Sequence, residues 1–330
     1  MSKKGPILGM VLVAIAAVFP WLLPNQYYIY VFNRGFANAI AVLGLVVLFG
    51  LGGQISLGHV AFFAIAAYTS AILAMKLALP PLLTIACGVV FASIWGALLS
   101  IPAFRLSGPF LAICTVAFGE VVRLLIVNWI DLTNGPYGLN NIPPVKIAGH
   151  AITKDIAWYY VLLGFTAIAA VVATRLKHSY IGRALMAIRE DETAAEIMGV
   201  KVRRFKMVAF VSAAFFAGVA GALYAHFSGY LSPESLTGEQ SSNFFSMAVV
   251  GGLDSIIGGI FSGVALTLLP ELMRFLQEYY MMIYSLLVLI IVLFPPEAGH
   301  ALAEWFRRHL RITGDHSLPG GSIASGRNDS

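Results

Sequence analysis

Charge is what this sequence has least of: only 11% of its 330 residues are Asp, Glu, Lys or Arg, while 59% are hydrophobic. Soluble domains carry about 25% charge. The shortage excludes a water-bathed globular domain and makes a lipid bilayer the natural solvent. Cysteine is nearly absent as well. Cys87 and Cys114 both sit inside apolar runs, which reads as two small hydrophobes and argues against a disulfide or a thiolate metal site. Also missing are a Gly-x-x-x-x-Gly-Lys-Ser/Thr phosphate loop, a zinc-binding His-Glu-x-x-His and a Gly-x-Ser-x-Gly elbow. No ATPase site of its own, no cofactor and no metal are therefore expected in this chain. The net charge of +5 is not a nucleic-acid signal, because the basic residues lie in short connections between apolar runs, where they report topology.

What is present is a series of long apolar runs at about 6–23, 28–51, 57–75, 80–102, 108–127, 156–174, 207–227, 243–269 and 271–294. About 20 residues cross a hydrocarbon core. The expected fold is an all-α membrane protein, a polytopic bundle of about 8–10 transmembrane helices. The first run follows Lys3 and Lys4 and lacks a small-residue cleavage site, so it reads as a retained helix rather than a signal peptide. If those lysines are cytoplasmic, alternation puts Arg105 inside, the 128–155 connection outside and the 175–206 segment inside. That last segment carries Arg175, Lys177, Arg183, Arg189, Lys201, Arg203, Arg204 and Lys206, the densest basic cluster, as the positive-inside rule requires. Arg307, Arg308 and Arg311 suggest a cytoplasmic tail, which needs an odd number of crossings after residue 227. The stretch from Ser241 to Leu269 is interrupted by Gly251, Gly252, Asp254, Gly258 and Gly259, and so reads as a re-entrant pair of half-helices. The transmembrane domain is placed at 1–312, ending in an amphipathic surface helix from Gly299 to Ile312. A disordered tail is expected at 313–330.

Glycine supplies a second pattern. Gly52, Gly53, Ser56 and Phe62 are echoed at one constant interval by Gly251, Gly252, Ser255 and Phe261. Gly-interrupted segments at corresponding positions of two halves point to a transporter's pathway. Around the first copy, Gln54, Ser56 and His59 place polar groups near membrane depth. Tight helix packing remains the competing explanation for the glycines, and a satisfied packing histidine for His59. Glu120 and Arg123 stand one helical turn apart and either neutralise each other or line the path. Thr133 to Gly138 is a turn by composition.

The stretch from Gly182 to Gly199 lacks Pro and is rich in Ala, Glu, Met and Leu, so one or two short helices are expected, with Gly199 as the C-terminal cap. It is long, helical and mixed in charge for a membrane loop, which suits docking on a soluble partner. Small Ala194 and Ala195 offer a close-packing face. Glu190, Asp191 and Glu192 beside Arg183 and Arg189 offer charge complementarity. Here the sequence resembles the coupling loop of ABC-transporter permeases, whose signature is Glu-Ala-Ala followed three residues later by Gly. Ala194, Ala195 and Gly199 match, whereas Thr193 holds the glutamate position and Glu192 precedes it. The surrounding phrase, its continuation from Lys206 to Phe210, the Gly50 to Phe63 stretch and the segments around Arg105 to Phe110 and Phe118 to Arg123 are similar to the branched-chain amino acid permease family. The likeness covers most of residues 40–295. It implies a multi-pass protein of the bacterial inner membrane that forms the path for leucine, isoleucine and valine with a second permease. It further implies two cytoplasmic ATPase subunits that bind the ATP, and a soluble substrate-binding protein. The related urea or amide permeases share these phrases. An ion-coupled secondary transporter, for which Glu120 and Asp254 would be the carboxylates, is the reading from another class.

Overall fold

The computed structural model describes Pro20, residues 25–106, 108–147 and 150–273, and isolated positions between 282 and 289. The apolar run at 6–23, most of that at 271–294, the surface helix at Gly299 to Ile312 and the tail at 313–330 lie outside the described residues. Six helices among the described residues are long and apolar enough to cross a membrane, and they fall on the expected runs. The first is α1 (Gln26–Leu45), which continues as a π-helical turn over Val46–Leu51. The others are α2 (His59–Lys76), α3 (Pro81–Ala103), α4 (Pro109–Asn128), α6 (Asp155–His178) and α9 (Val202–Ser228). Local chemistry sets several starts. Asn25 caps α1 by accepting from the Tyr27 amide at 3.0 Å, and Pro81 and Pro109 occupy the first turns of α3 and α4, where a missing N–H costs nothing.

The centre of the bundle is α1, the most buried of the six spans. It packs against α6, α9 and α11 (Ile256–Leu272), while α9 also packs on α2 and α3. Small residues let the backbones approach. A Cβ on Gly96 would lie 2.5 Å from the Ala214 Cβ, and one on Gly88 would lie 2.6 Å from the Ala66 carbonyl oxygen. Without a hydrophobic force between helices in lipid, such close contact is what holds them together. A buried set of Ser70, Thr84 and His226 adds hydrogen bonds, with Ser70 Oγ and His226 Nε2 2.9 Å apart.

Beyond residue 228 the chain breaks up as expected. Across the 243–269 run lie two short helices, α10 (Gly238–Val250) and α11, separated by Gly251 to Ser255. The 128–155 connection is more ordered than a turn. It holds a one-turn helix α5 (Ile130–Thr133), a 3-10 turn Gly135–Tyr137 and three two-residue strands: β1 (Leu139–Asn140), β2 (Lys146–Ile147) and β3 (His150–Ala151). β2 pairs with β3, and β1 pairs antiparallel with β4 (Tyr230–Leu231), Leu139 opposite Leu231. This second pairing ties the connection to the segment that follows α9. Cys87 and Cys114, on α3 and α4, are unpaired and half-buried.

Candidate functional site

Both glycine segments are helix breaks of the same kind. The first helix ends on Gly52 in right-handed conformation (φ −96°), and Gly53 then turns left-handed at φ +66°. The second ends on Gly251 (φ −70°), followed by Gly252 at φ +85°. A left-handed residue just past a helix is where glycine avoids the Cβ penalty.

After the first break the chain does not turn straight back. It runs without helix from Gln54 to Gly58 and delivers His59 beside Ala41, whose carbonyl accepts from Nε2 at 2.9 Å. Ala41 precedes Leu51 by ten residues, so the segment climbs roughly 15 Å back along α1. Gly58 closes on the Thr115 backbone, where a Cβ would have no room, and the Leu57 amide donates to Thr115 Oγ1 at 3.0 Å. Gln54, Ser56 and His59 are buried, and the Gln54 amide, Ser56 Oγ and His59 Nδ1 find no hydrogen-bond partner among the described residues. The His59 ring stands edge-on to Phe62 and Phe244.

The two breaks meet. A Cβ on Gly50 would strike the Leu253 backbone, and the side chain that fastens them comes from the basic segment. Its helices are α7 (Tyr180–Glu190) and α8 (Glu192–Ile197), the two short helices that the sequence suggests. From α7, Arg189 Nη1 donates to the Gly50 carbonyl and, at 2.6 Å, to Asp254 Oδ1. From the end of α6, Lys177 Nζ donates to the Asp254 carbonyl. Asp254 holds the Arg189 guanidinium above its ordinary pKa, so it stays cationic at every accessible pH. Gly53 lies under the same side chain, its missing Cβ 2.9 Å from Arg189 Cγ.

Within α7–α8 each expected residue has a place. Gly182 faces the Leu176 and Lys177 carbonyls, which a side chain would hit. Arg183 donates to the His178 carbonyl at 2.9 Å. Glu190 lies exposed beside Arg189. Asp191 caps α8 by accepting from the Ala194 amide at 2.9 Å. Glu192 pairs with Lys206 on α9 at 2.7 Å, where the lysine side chain is only 6% exposed. Gly199, at φ +85°, ends the module: its N–H bonds to the Glu196 carbonyl and that of Val200 to the Ala195 carbonyl, the double bond of a Schellman cap. The expected small-residue face divides. Ala195 is buried within its own chain and Ala194 is exposed, because neighbours in a helix point about 100° apart. The outward apolar surface is instead Ile197 and Met198, 80% and 83% exposed.

Glu120 and Arg123 pair with each other at 2.5 Å on a face of α4 open to the surroundings of the chain. They do not converge with Gln54, Ser56 and His59. Sequence reasoning missed Arg34. It lies in the middle of α1 and lines a half-open cavity of ≈ 230 Å³ with Glu234 and Glu239, the segment after β4 and α10. The only signal was one arginine in the apolar run 28–51. Arg189 lies near Gly50, and Arg34 is sixteen residues earlier, so the cavity and the clamp stand roughly 24 Å apart along α1.

The chain matches a family model described as the permease component of branched-chain amino acid transport systems over residues 27–293. It is 33% identical over 319 residues to the high-affinity branched-chain amino acid transport permease LivM of Salmonella typhimurium, covering 90% of this chain and 75% of that one. To LivM of Escherichia coli it is 34% identical, covering 77% of this chain and 65% of the relative. It is 25% identical to the Escherichia coli permease LivH, over 80% of this chain and 91% of the relative. No solved structure matches it.

Proposed function

The chain belongs to the branched-chain amino acid transport permease family, and we propose that it is one of the two permease subunits of an ATP-driven importer, with the 175–206 segment as its coupling element. Its role is that of a multi-pass transport permease in branched-chain amino acid import. Similarity to both LivM and LivH supports a pair of related permeases in one assembly. In this reading two cytoplasmic ATPase subunits bind the ATP, and a soluble binding protein presents leucine, isoleucine or valine at the outer face of a bacterial inner membrane.

The observation that carries the coupling role is the Arg189 clamp, which bonds one side chain of α7 to the first break at Gly50 and to the second at Asp254. A displacement of α7–α8 is thereby applied to both breaks together. The coupling therefore runs through a contiguous set of contacts. Ile197 and Met198 supply an apolar docking face next to the acidic residues of α8. The exposed α4 face supplies the seat for the second permease. An ion pair at mid-span is costly against lipid and suits a protein partner.

The test is the double substitution Ile197→Asp with Met198→Asp. Both side chains are exposed, so the chain should insert and purify with its partner permease yet lose the ATPase subunits and ATP-dependent uptake. Retention of both would remove the docking role and favour an ion-coupled transporter.

A further inference from the structure

We infer that the cavity around Arg34 is a subsite for the zwitterionic head and aliphatic side chain of a free α-amino acid, formed within this one chain. The inference rests on the reading of the chain as an amino acid permease and goes beyond it by naming the residues that hold the substrate.

Arg34 lies eight residues past the start of α1, roughly 12 Å into the span. It makes no hydrogen bond or ion pair with any described residue. An unpaired guanidinium at such depth is expensive and marks a functional position. What relieves it is an anion, and a planar guanidinium matches a carboxylate bidentately. Glu234 and Glu239 line the same cavity and form no ion pair with any described residue, and their carboxylates suit an ammonium group.

The same cavity is also lined by Phe63, Leu236 and Phe244, all buried, and by Tyr224. The Phe63 ring lies 5.5 Å from that of Tyr224 and 6.0 Å from that of Phe244, so the wall is preformed. At ≈ 230 Å³ the cavity is smaller than the roughly 300–1,000 Å³ of drug-sized pockets and suits a ligand of amino acid size. A neutral urea or amide would offer no charge to either the guanidinium or the carboxylates. A bare fatty acid would answer Arg34 but not the carboxylates.

The experiment uses the purified permease–ATPase complex without its binding protein, titrated calorimetrically with leucine. Leucine should bind, and neither leucinol, which lacks the carboxylate, nor 4-methylpentanoate, which lacks the ammonium, should displace it. Arg34→Gln should weaken leucine at least about tenfold, Arg34→Lys less, and Glu239→Gln, at an exposed position that folding tolerates, several-fold. In reconstituted vesicles carrying the binding protein, Arg34→Gln should lower uptake while the ATPase subunits stay bound. Absence of leucine binding up to about 10 mM, the range of weak specific complexes, would overturn the subsite. So would displacement by leucinol, or unchanged binding in both Arg34→Gln and Glu239→Gln. Wild-type vesicles that import no branched-chain amino acid would instead overturn the functional reading beneath it.

Discussion

The two glycine breaks begin alike and end differently. Gly52 and Gly251 each close a helix, and Gly53 and Gly252 each turn left-handed. The next residues then diverge. Ser56 is wholly buried with its hydroxyl unpartnered, whereas its counterpart Ser255 is exposed and caps α11 by accepting from the Gly258 amide at 3.0 Å. Phe62 is fully buried and Phe261 is 73% exposed. The glycines therefore fix the bend, and the side chains after them fix the depth. A capping serine restarts the helix at once in the second break. In the first, Gln54 and Ser56 offer no cap, and the chain runs on into the bundle until Gly58 lets it close on α4.

The comparison breaks completely if the breaks are forced apart. Gly50→Val would drive a side chain into the Leu253 backbone, so no folded chain should survive, as read by fluorescence-detected size exclusion. Less drastic is the pair Gly53→Ala and Gly252→Ala. Each puts a side chain at positive φ, a cost of about 1–2 kcal/mol. Only Gly53 also meets Arg189; Gly252 has open space apart from Ser255 Cβ at 3.7 Å. Gly53→Ala should therefore lower the melting temperature and the uptake rate more, and equal effects would mean that the clamp does not distinguish the two breaks.

The clamp itself is probed by Arg189→Ala. The pair with Asp254 is partly exposed at both ends, so the loss of stability should stay within about 1 kcal/mol. Uptake per ATP hydrolysed should fall at least severalfold, because both bonds to the breaks vanish. Asp254→Asn keeps the Arg189 bond to Gly50 and should do less. Smallest in uptake should be Glu192→Gln, which leaves the buried Lys206 without its counter-charge. A loss of about 1–2 kcal/mol is expected, between a surface and a buried pair, seen in thermal melts with the ATPase subunits still attached.

Much of this was legible in the sequence because it is written locally. The spans follow from the length of apolar runs, Gly199 from its position after a helix-prone stretch, and the breaks from paired glycines. Distant partners were not legible. Arg189 and Gly50 stand 139 residues apart and Arg189 and Asp254 65 apart, and no spacing rule joins them. Ala194 and Ala195 looked equivalent as small residues, but the helix turns one in and the other out. Arg34 was overlooked because one charge vanishes in the average of a long apolar window. Its meaning depends on a segment brought over it from some 200 residues further along.

The pairing of β1 with β4 bears on how that segment is held. Each strand starts directly after a left-handed glycine, Gly138 before Leu139 and Gly229 before Tyr230. Glu234, Leu236 and Thr237, on the cavity wall, follow β4 within a few residues. The two connections are thus stitched to each other directly beyond two matching positive-φ glycines. Through Leu139 opposite Leu231 the outer connection is tied to the cavity wall, so the two are one mechanical unit rather than two separate loops.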